Sequence, residues 1–502
     1  MQIVRTVLSL LGYASLAAAV PAINVRANYF VNNVTGDRYQ IVGVAYQPGG
    51  SSGYDPSSGT DALTNKDACL RDAALMQVLG VNAVRVYNIN PDLNHDECAS
   101  IFNAAGIFML LDVNAPLAGD SINSLQPGAS YYAGYLNRTF AVVEAFKSYP
   151  NTVAFFAGNE VISDVATGYT VPPYMRAVTR DLKNYIARHS DRAIPVGYSA
   201  ADVRSILFDT WAYLQCDDTA GDDTSSGDAS RVDFFSLNSY SWCGNSSFTE
   251  STYNQLVAGF SNSSVPIFLS EYGCNVPEPR VFTEVPVIYS TQMSGVFSGG
   301  IVYEFVQGSN NYGLVNYSSD GTAQLLDDFY TLKDRYAALN FATIQGVAPP
   351  ANSPSVPTCS ANMITTPGFC TDFTVPLPPS GAEDIIANGV SPLPSGKIVP
   401  INDYTVNSTV KDNHGNVITG LKVVPLAEDQ INQPGSNAAV ASTSGSTPTS
   451  SGMPTGTTSS ASATSTPKET SAGTGVRHVQ SESIPLVVVS AVVASFLAGF
   501  LG

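Results

Sequence analysis

Apolar and polar positions follow two alternating patterns between residues 20 and 340. Eight short runs are apolar on both faces, which is typical of strands buried between two layers; they span residues 41–46, 83–87, 107–112, 152–158, 194–198, 232–237, 265–270 and 300–305. Helical periodicity occupies the intervals at residues 66–79, 97–105, 132–148, 174–189 and 284–297, and recurs at 324–339. Eight alternating strand and helix units predict an α/β fold, a (β/α)8 TIM barrel.

A doubly wound open sheet is the structural alternative. That fold normally has a glycine-rich phosphate-binding loop after its first strand. The corresponding segment here, Gly43-Val-Ala-Tyr-Gln47, does not supply one. The closed barrel is therefore the favoured interpretation.

Composition divides the rest of the chain. Residues 341–434 contain many prolines and short strand-like segments, so we expect an irregular extension after a barrel domain at residues 20–340. Residues 435–473 are mostly Ser, Thr, Ala, Gly and Pro, and such a segment buries too little apolar surface to offset its ordering entropy. We expect this segment to be a disordered, O-glycosylated stalk.

Two terminal segments predict export and membrane attachment. Residues 1–19 combine the basic Arg5, an apolar run and the small residues Ala17 and Ala19, which is typical of a secretory signal peptide, with a membrane anchor as the alternative. Residues 484–502 are apolar and follow a polar spacer and the small residues 471–473, one of which would be the attachment residue of a GPI anchor. Residues 474–502 would then be removed; a terminal transmembrane helix is the alternative. We expect a secreted protein anchored to the outer face of the plasma membrane or retained in the cell wall.

Charge and cysteine content exclude several functions. The net charge is −18, from 41 acidic and 23 basic residues, which argues against a nucleic-acid partner. The seven cysteines do not show zinc-ligand spacing, and we expect no metal and no cofactor. In an oxidising compartment they are disulfide candidates, and the odd number leaves at least one without an internal partner. Glycosylation sequons begin at Asn33, Asn137, Asn245, Asn262, Asn316 and Asn407.

A glutamate stands at the end of two of the predicted strands. Glu160 ends Thr152-Val-Ala-Phe-Phe-Ala-Gly-Asn-Glu160, and Glu271 ends the seventh predicted strand. Because the carboxyl ends of barrel strands meet at one mouth, both side chains should face the same cleft. Two carboxyl groups across a cleft can cleave a glycosidic bond, one as a proton donor and the other as a nucleophile when they lie about 5–5.5 Å apart.

Other polar residues near predicted strand ends are candidates for sugar contacts. The amide of Asn159 could bind a sugar hydroxyl beside Glu160, and the hydroxyl of Tyr272 could keep Glu271 ionised and oriented. Asp112 and Asp202 could bind hydroxyl groups or form salt bridges. Aromatic and amide side chains that suit a sugar site also lie at or after the strand ends, at Gln47, Tyr87, Asn238, Tyr240, Tyr303 and Tyr312.

Several motifs in the same order resemble one enzyme family across residues 22–340. They are Gly43-Val-Ala-Tyr-Gln47, Arg85-Val-Tyr87, Phe155-Phe-Ala-Gly-Asn-Glu-Val161, Pro195-Val-Gly-Tyr-Ser199, Ser239-Tyr-Ser-Trp-Cys-Gly244, Ser270-Glu-Tyr-Gly-Cys-Asn275 and Gly299-Gly-Ile-Val-Tyr303. The chain resembles the fungal GPI-anchored β-1,3-glucanosyltransferases of glycoside hydrolase family 72, the Gas/Gel/Phr group. The resemblance implies internal cleavage of β-1,3-glucan and transfer of the new reducing end to the non-reducing end of another chain.

The resemblance also implies residue roles. Glu160 would be the proton donor and Glu271 the nucleophile. The residues that would bind glucan by this resemblance are Tyr87, Asn159, Asp202, Tyr240 and Tyr303, and also Arg204, although its spacing from Asp202 departs from the family pattern. Gln47, Asp112 and Glu160 are further candidates for substrate binding because of their positions at strand ends. The implied disulfides are Cys69–Cys98 and Cys243–Cys274, with Cys216 bonded to either Cys359 or Cys370. No cysteine follows Cys370, so we expect the cysteine-rich carbohydrate module of some members to be absent.

Two other functions remain open at this point. A hydrolytic β-1,3-glucanase would share the glycosyl-enzyme intermediate and differ only in whether water or sugar attacks it. A wall glycoprotein that binds glucan without catalysis would not need either glutamate.

Overall fold

The computed structural model describes residues 20–219, 227–349, 352, 354–391, 394–435 and 442–443. Its strands are β1 (Ile23–Arg26), β2 (Tyr29–Asn32), β3 (Ile41–Tyr46), β4 (Ala83–Val86), β5 (Phe108–Asp112), β6 (Thr152–Asn159), β7 (Val196–Ala201), β8 (Phe234–Asn238), β9 (Ile267–Tyr272), β10 (Phe297–Val302), β11 (Val315–Tyr317), β12 (Ala323–Leu325), β13 (Val410–Lys411), β14 (Ile418–Thr419) and β15 (Ser442–Thr443). Its α-helices are α1 (Lys66–Leu79), α2 (Asp96–Ala104), α3 (Pro127–Ser130), α4 (Ala133–Phe146), α5 (Val165–Thr170), α6 (Pro172–His189), α7 (Leu207–Gln215), α8 (Tyr253–Phe260), α9 (Val285–Ile288), α10 (Asp327–Ala337), α11 (Phe341–Gln345) and α12 (Ala382–Asn388).

Strands β3 to β10 form a closed barrel in which each strand is parallel to its neighbours and β10 pairs with β3. This confirms the predicted (β/α)8 barrel and excludes the open sheet. Closure requires glycine at position 299, because a Cβ atom there would lie 2.1 Å from the carbonyl oxygen of Ile41 and the backbone has φ 86°. Aromatic side chains fill the interior, where Phe156 and Phe234 lie 5.3 Å apart in an edge-to-face contact.

The antiparallel hairpin β1–β2, which the sequence pattern did not predict, packs on the end of the barrel where the amino-terminal ends of the strands lie. Phe30 of β2 contacts Phe234 and Phe268 at ring distances of 6.0 and 5.9 Å. Both of these residues lie near the amino-terminal ends of their strands. The hairpin therefore covers the end of the barrel opposite the strand carboxyl ends.

The predicted helix at residues 284–297 is wrong. Only Val285–Ile288 is helical, residues 290–296 form turns, and β10 begins at Phe297, earlier than the predicted strand at residues 300–305. The apolar spacing of this segment fits a helix, but Ser290, Thr291, Ser294 and Gly295 are poor helix formers. The other predicted helices and strands are present with boundaries that differ by a few residues.

The extension after residue 340 packs along the outside of the barrel domain. Backbone bonds join Cys370 to Gly168 at 3.0 Å, Leu426 to Ala104 at 2.9 Å and Asn432 to Gly106 at 3.0 Å. Strand β13 pairs in parallel with β12, so the extension adds a strand to a small sheet of the barrel domain. The buried side chains of Phe369 and Phe373 belong to the main hydrophobic core. The extension is therefore irregular, as expected, but it is an integral part of the folded domain.

Three disulfides stabilise this arrangement. Cys69–Cys98 and Cys243–Cys274 join neighbouring segments of the barrel domain. Cys216–Cys359 connects the end of α7 to the extension, which decides the alternative left open for Cys216. Cys370 is a buried free thiol.

The segments predicted to direct export and anchoring lie outside the part of the chain that the structure describes. Residues 1–19 and 474–502 lie outside the described residues, as does the stalk apart from residues 435, 442 and 443. Within the described part of the chain, no helix has both the length and the apolar character needed to cross a bilayer.

Candidate active site

The two glutamates lie at the carboxyl-terminal mouth of the barrel, on its fourth and seventh strands. Glu271 lies within β9 and is 8% exposed. Glu160 follows β6 directly, is exposed, and has a left-handed backbone with φ 53°. That conformation costs about 1–3 kcal/mol for a residue with a side chain. It is held because the Glu160 amide donates a 2.8 Å hydrogen bond to the carbonyl oxygen of Ser199 on β7.

Two register shifts aim these side chains inward. Along β8 and β9, Leu237 pairs with Leu269 and Asn238 with Glu271, so β9 contains one extra residue, Ser270. The extra residue lets both Ser270 and Glu271 reach the interior, where strict alternation would have turned one of them outward. A similar shift, with one extra residue on β6, precedes Asn159.

Three donors hold the carboxylate of Glu271. Tyr87 donates its hydroxyl to Oε1 at 3.0 Å, Tyr240 donates to Oε2 at 2.7 Å, and Arg85 Nη1 lies 3.3 Å from Oε1. Charge-assisted bonds of this kind favour an ionised carboxylate in a fixed orientation. The expectation that Tyr272 performs this role is wrong: its hydroxyl contacts Tyr336 at 3.0 Å, on the outer side of the barrel.

Arg85 is the central cation of the site, and the sequence reasoning did not select it. Its side chain is fully buried, forms an ion pair with Asp112 at 2.9 Å, and donates from Nη2 to Asn159 Oδ1 at 2.9 Å. A signal was present in the sequence, because an arginine inside the apolar run at residues 83–87 needs a buried anionic partner. Asp112 is that partner, so its position supports the salt-bridge alternative.

Asn238 joins the neighbourhoods of the two glutamates. Its Nδ2 donates to Glu160 Oε1 at 2.9 Å and to Asn159 Oδ1 at 3.1 Å. Its Oδ1 accepts from Arg85 Nη1 at 3.4 Å, the same nitrogen that contacts Glu271. Glu160 and Glu271 are therefore connected through only two side chains.

Burial raises the pKa of Glu271 to about 7. The Arg85 charge and the hydrogen bonds from Tyr240 and Tyr87 act in the opposite direction, whereas the charge of Glu160 raises the pKa further. Glu271 therefore has three donors around its carboxylate, whereas Glu160 has one, the Asn238 amide.

An aromatic cluster lies beside Glu271. The rings of Tyr240, Tyr303 and Tyr312 contact one another edge to face at 5.5–6.4 Å and are partly exposed. Burial raises the pKa of Tyr240 well above its ordinary value, so its hydroxyl is a neutral donor. Exposed ring faces and a neutral hydroxyl are suited to stacking on sugars and to hydrogen bonding with them.

The remaining candidate residues also follow barrel strands, Gln47 after β3 and Asp202 and Arg204 after β7. Asp202 is paired with Arg204, whose Nη2 lies 3.0 Å from Asp202 Oδ2, and Ser239 donates to Asp202 at 2.6 Å. Gln47 donates to Ser51 at 3.1 Å and lines a cavity of about 340 Å³ beside β3 and β4. In the part of the chain that the structure describes, no cluster of His, Cys, Asp and Glu could hold a metal ion.

A closed (β/α)8 barrel with two linked carboxyl groups at its carboxyl-terminal mouth is the arrangement of glycoside-cleaving enzymes. The family model described as "Glucanosyltransferase" matches residues 13–340. The chain belongs to this family, glycoside hydrolase family 72.

Proteins named as 1,3-beta-glucanosyltransferases are similar in sequence to most of this chain. The chain is 48% identical to 1,3-beta-glucanosyltransferase gel2 of Aspergillus fumigatus over 435 residues. The aligned region covers 87% of this chain and 89% of that relative. It is 44% identical over 389 residues to the probable 1,3-beta-glucanosyltransferase GAS3 of Saccharomyces cerevisiae, and this alignment covers 76% of this chain and 74% of that relative. A Glu-to-Gln mutant of Saccharomyces cerevisiae Gas2p, solved with laminaritetraose and laminaripentaose, superposes with a TM-score of 0.61 at 33% identity, covering 72% of this chain and 76% of that one.

Proposed function

We propose that this protein is a β-1,3-glucanosyltransferase that acts by double displacement with retention of configuration. The observation that carries the proposal is the linked pair of carboxyl groups, in which Glu271 has three donors and Glu160 has one. An ionised Glu271 is suited to attack carbon, and a protonated Glu160 is suited to donate a proton.

In the first step, Glu271 attacks the anomeric carbon of a β-1,3-linked glucose while the bond to the leaving oxygen breaks. Glu160 gives its proton to that oxygen, and the chain fragment with the old reducing end leaves. The product is a glycosyl ester on Glu271. Tyr87, Tyr240 and Arg85 keep the carboxylate aimed during this step, which saves orientational entropy.

In the second step, Glu160 is ionised and acts as the base. It removes the proton from the 3-hydroxyl of the non-reducing end of another glucan chain, and that oxygen attacks the anomeric carbon. The ester bond to Glu271 breaks, and a longer chain with a β-1,3 bond leaves. Water at the same position would give hydrolysis, so the function depends on the acceptor site.

We assign glucan binding to the residues that surround this centre. Arg85 orients Asn159 through its oxygen, which leaves the Asn159 amide nitrogen available for a sugar hydroxyl. Tyr240 and Tyr303 offer ring faces to glucose units next to the cleavage point. Gln47, Tyr87, Asp112, Asp202 and Arg204 complete the proposed binding site, with Asp112 and Asp202 acting through their ion pairs with Arg85 and Arg204.

Product analysis on a reduced laminari-oligosaccharide tests the proposal. We expect products longer than the donor, and Glu160→Gln and Glu271→Gln should each remove them. Shorter products alone would mean a hydrolytic β-1,3-glucanase. Unchanged function in both variants would mean a protein that binds glucan without catalysis.

We further propose secretion and a GPI anchor, with residues 1–19 as the signal peptide, residues 435–473 as the stalk and residues 474–502 as the removed propeptide. The apolar terminal segments support this, and three disulfides suit an oxidising compartment. Release of the protein from membranes by a phosphatidylinositol-specific phospholipase C tests it. Replacing the small residues 471–473 with bulky ones should prevent anchoring, and continued sensitivity to the phospholipase would contradict this assignment.

A further inference from the structure

We propose that Asn238 is the positioning residue for the proton donor, holding Glu160 by Oε1 so that the transferable proton is carried on Oε2. This inference rests on the proposed role of Glu160 as acid and base. It concerns a residue that does not itself react.

The oxygen end of the Asn238 amide is fixed by its neighbours. Arg85 Nη1 lies 3.4 Å from Oδ1, and an arginine can only donate. Ser199 and Ser270 also donate their hydroxyl groups to Oδ1, at 3.0 and 2.9 Å. These contacts come from β4, β7 and β9, so the amide is held from three sides within a region that excludes water. Asn238 itself is 4% exposed.

The nitrogen end therefore faces the two acceptors next to it. Asn159 Oδ1 also receives Arg85 Nη2 at 2.9 Å, so this acceptor is fixed by the same cation. The second N–H of Asn238 points to Glu160 Oε1 at 2.9 Å. Glu160 is exposed and follows the end of its strand, so this contact restricts a side chain that would otherwise rotate freely.

A donor on Oε1 decides where the proton of Glu160 is carried. The carbonyl oxygen of a carboxylic acid is a better acceptor than its hydroxyl oxygen, so the N–H of Asn238 favours Oε1 as the carbonyl and Oε2 as the hydroxyl. When the glycosidic bond breaks, the Oε2 proton moves to the leaving oxygen, and the negative charge that remains on Glu160 is stabilised by the same N–H. In the second step Oε2 takes the proton of the acceptor hydroxyl. The Asn238 contact is thus strongest in the states in which Glu160 is charged.

The test uses leaving groups that differ in their need for a proton. Asn238→Asp keeps the shape of the side chain but replaces the N–H that faces Glu160 with an oxygen, and Asn238→Ala removes the contact. For each we would measure kcat/KM on a laminari-oligosaccharide and on a 2,4-dinitrophenyl β-laminarioside, whose leaving group departs without protonation. We expect a loss of about 100-fold on the oligosaccharide, within the range for loss of aimed acid catalysis, and a change of only a few-fold on the dinitrophenyl substrate.

Ser236 provides the matched control. It lies on the same strand, is fully buried, and donates to the carbonyl oxygen of Tyr198 at 3.0 Å without contacting either glutamate. Ser236→Ala should leave the ratio of the two kcat/KM values unchanged. The Asn238 variants should also release a burst of dinitrophenolate, because the second step still needs Glu160 as a base.

The outcomes separate this inference from the proposed function. Equal losses on both substrates in the Asn238 variants would reduce Asn238 to a structural role and overturn the inference. If Glu160→Gln shows the strong dependence on leaving group but Asn238→Asp does not, the inference fails and the proposed function stands. If Glu160→Gln shows no such dependence, the assignment of the acid fails first.

Discussion

The hydroxyl of Tyr240 offers a sharp test of how the site controls Glu271. Tyr240→Phe removes one hydrogen bond to the Glu271 carboxylate, at 2.7 Å, and leaves the ring. That hydrogen bond lowers the pKa of Glu271 and burial raises it, and the pKa that results is about 7. Glu271 must be ionised to attack, so kcat/KM should rise with pH through its pKa, and removing the bond should move this acid limb to higher pH.

The size of the shift follows from the strength of the bond. A hydrogen bond to a charged group contributes about 1.5–3 kcal/mol, and about 1.4 kcal/mol corresponds to one pKa unit, so the limb should move up by about one to two pH units. At pH 6 the variant should therefore be slower than the wild type by about 10- to 100-fold. At pH 9 Glu271 is almost fully ionised in the wild type and at least about half ionised in the variant, so the difference should shrink to about twofold or less.

The assay is kcat/KM for oligosaccharide cleavage between pH 4 and pH 9, with Tyr312→Phe as the control. Tyr312 belongs to the same aromatic cluster, and its hydroxyl is not among the three donors to Glu271. Its loss should lower activity equally at every pH, if at all. An equal loss at every pH in Tyr240→Phe would refute the reasoning, because it would mean that the hydroxyl binds substrate and does not control the charge of Glu271.

Three further predictions concern the stability of the fold. Phe369→Ala should lower the free energy of unfolding by about 3–5 kcal/mol, because its ring is only 3% exposed. Leu377 lies in the same extension and is 83% exposed, so Leu377→Ala should change the free energy of unfolding little. Equal effects of the two variants in denaturant titrations would contradict the integral role of the extension. Burial raises the pKa of Glu284 from its ordinary value of 4.5 to about 7, so protonation of this side chain stabilises the folded state. The stabilisation is fully present below pH 4.5 and is lost as the pH rises through 7. Glu284→Gln should flatten this decline in Tm, and an unchanged pH profile of Tm in the variant would contradict the prediction. Replacing Cys216 and Cys359 together with Ala should cost about 2–5 kcal/mol, and an unchanged Tm would show that the extension needs no covalent link.

Much of the fold was predictable because the apolar runs report burial directly. A strand covered on both faces is apolar at most positions, and this signal identified all eight strands of the barrel. The prediction of a helix at residues 284–297 was wrong for a related reason. Its apolar spacing fits a helix, but those side chains are buried by turns and by the start of β10. Periodicity reports which residues are buried and does not by itself report the backbone that buries them.

The reacting pair was predictable from a rule that is local in sequence. Strand carboxyl ends converge in any parallel barrel, so a glutamate at two such ends predicts a pair without knowledge of the contacts. The groups that support the pair were harder to find. Arg85 had a usable signal, a cation in an apolar run, whereas Asn238 had only its position at the end of a predicted strand, which does not reveal its contact with Glu160.

The sequence by itself determined the number of barrel units, the mouth at which Glu160 and Glu271 meet, and the family of the enzyme. Only the tertiary structure decided that Tyr87 and Tyr240, and not the adjacent Tyr272, bind Glu271. The physical reason is that neighbouring residues on a strand face opposite sides, and that one extra residue in β9 sets which side Glu271 takes. Strand order and register are properties of the closed barrel, so the partners of a charged group appear only when distant strands have been brought together.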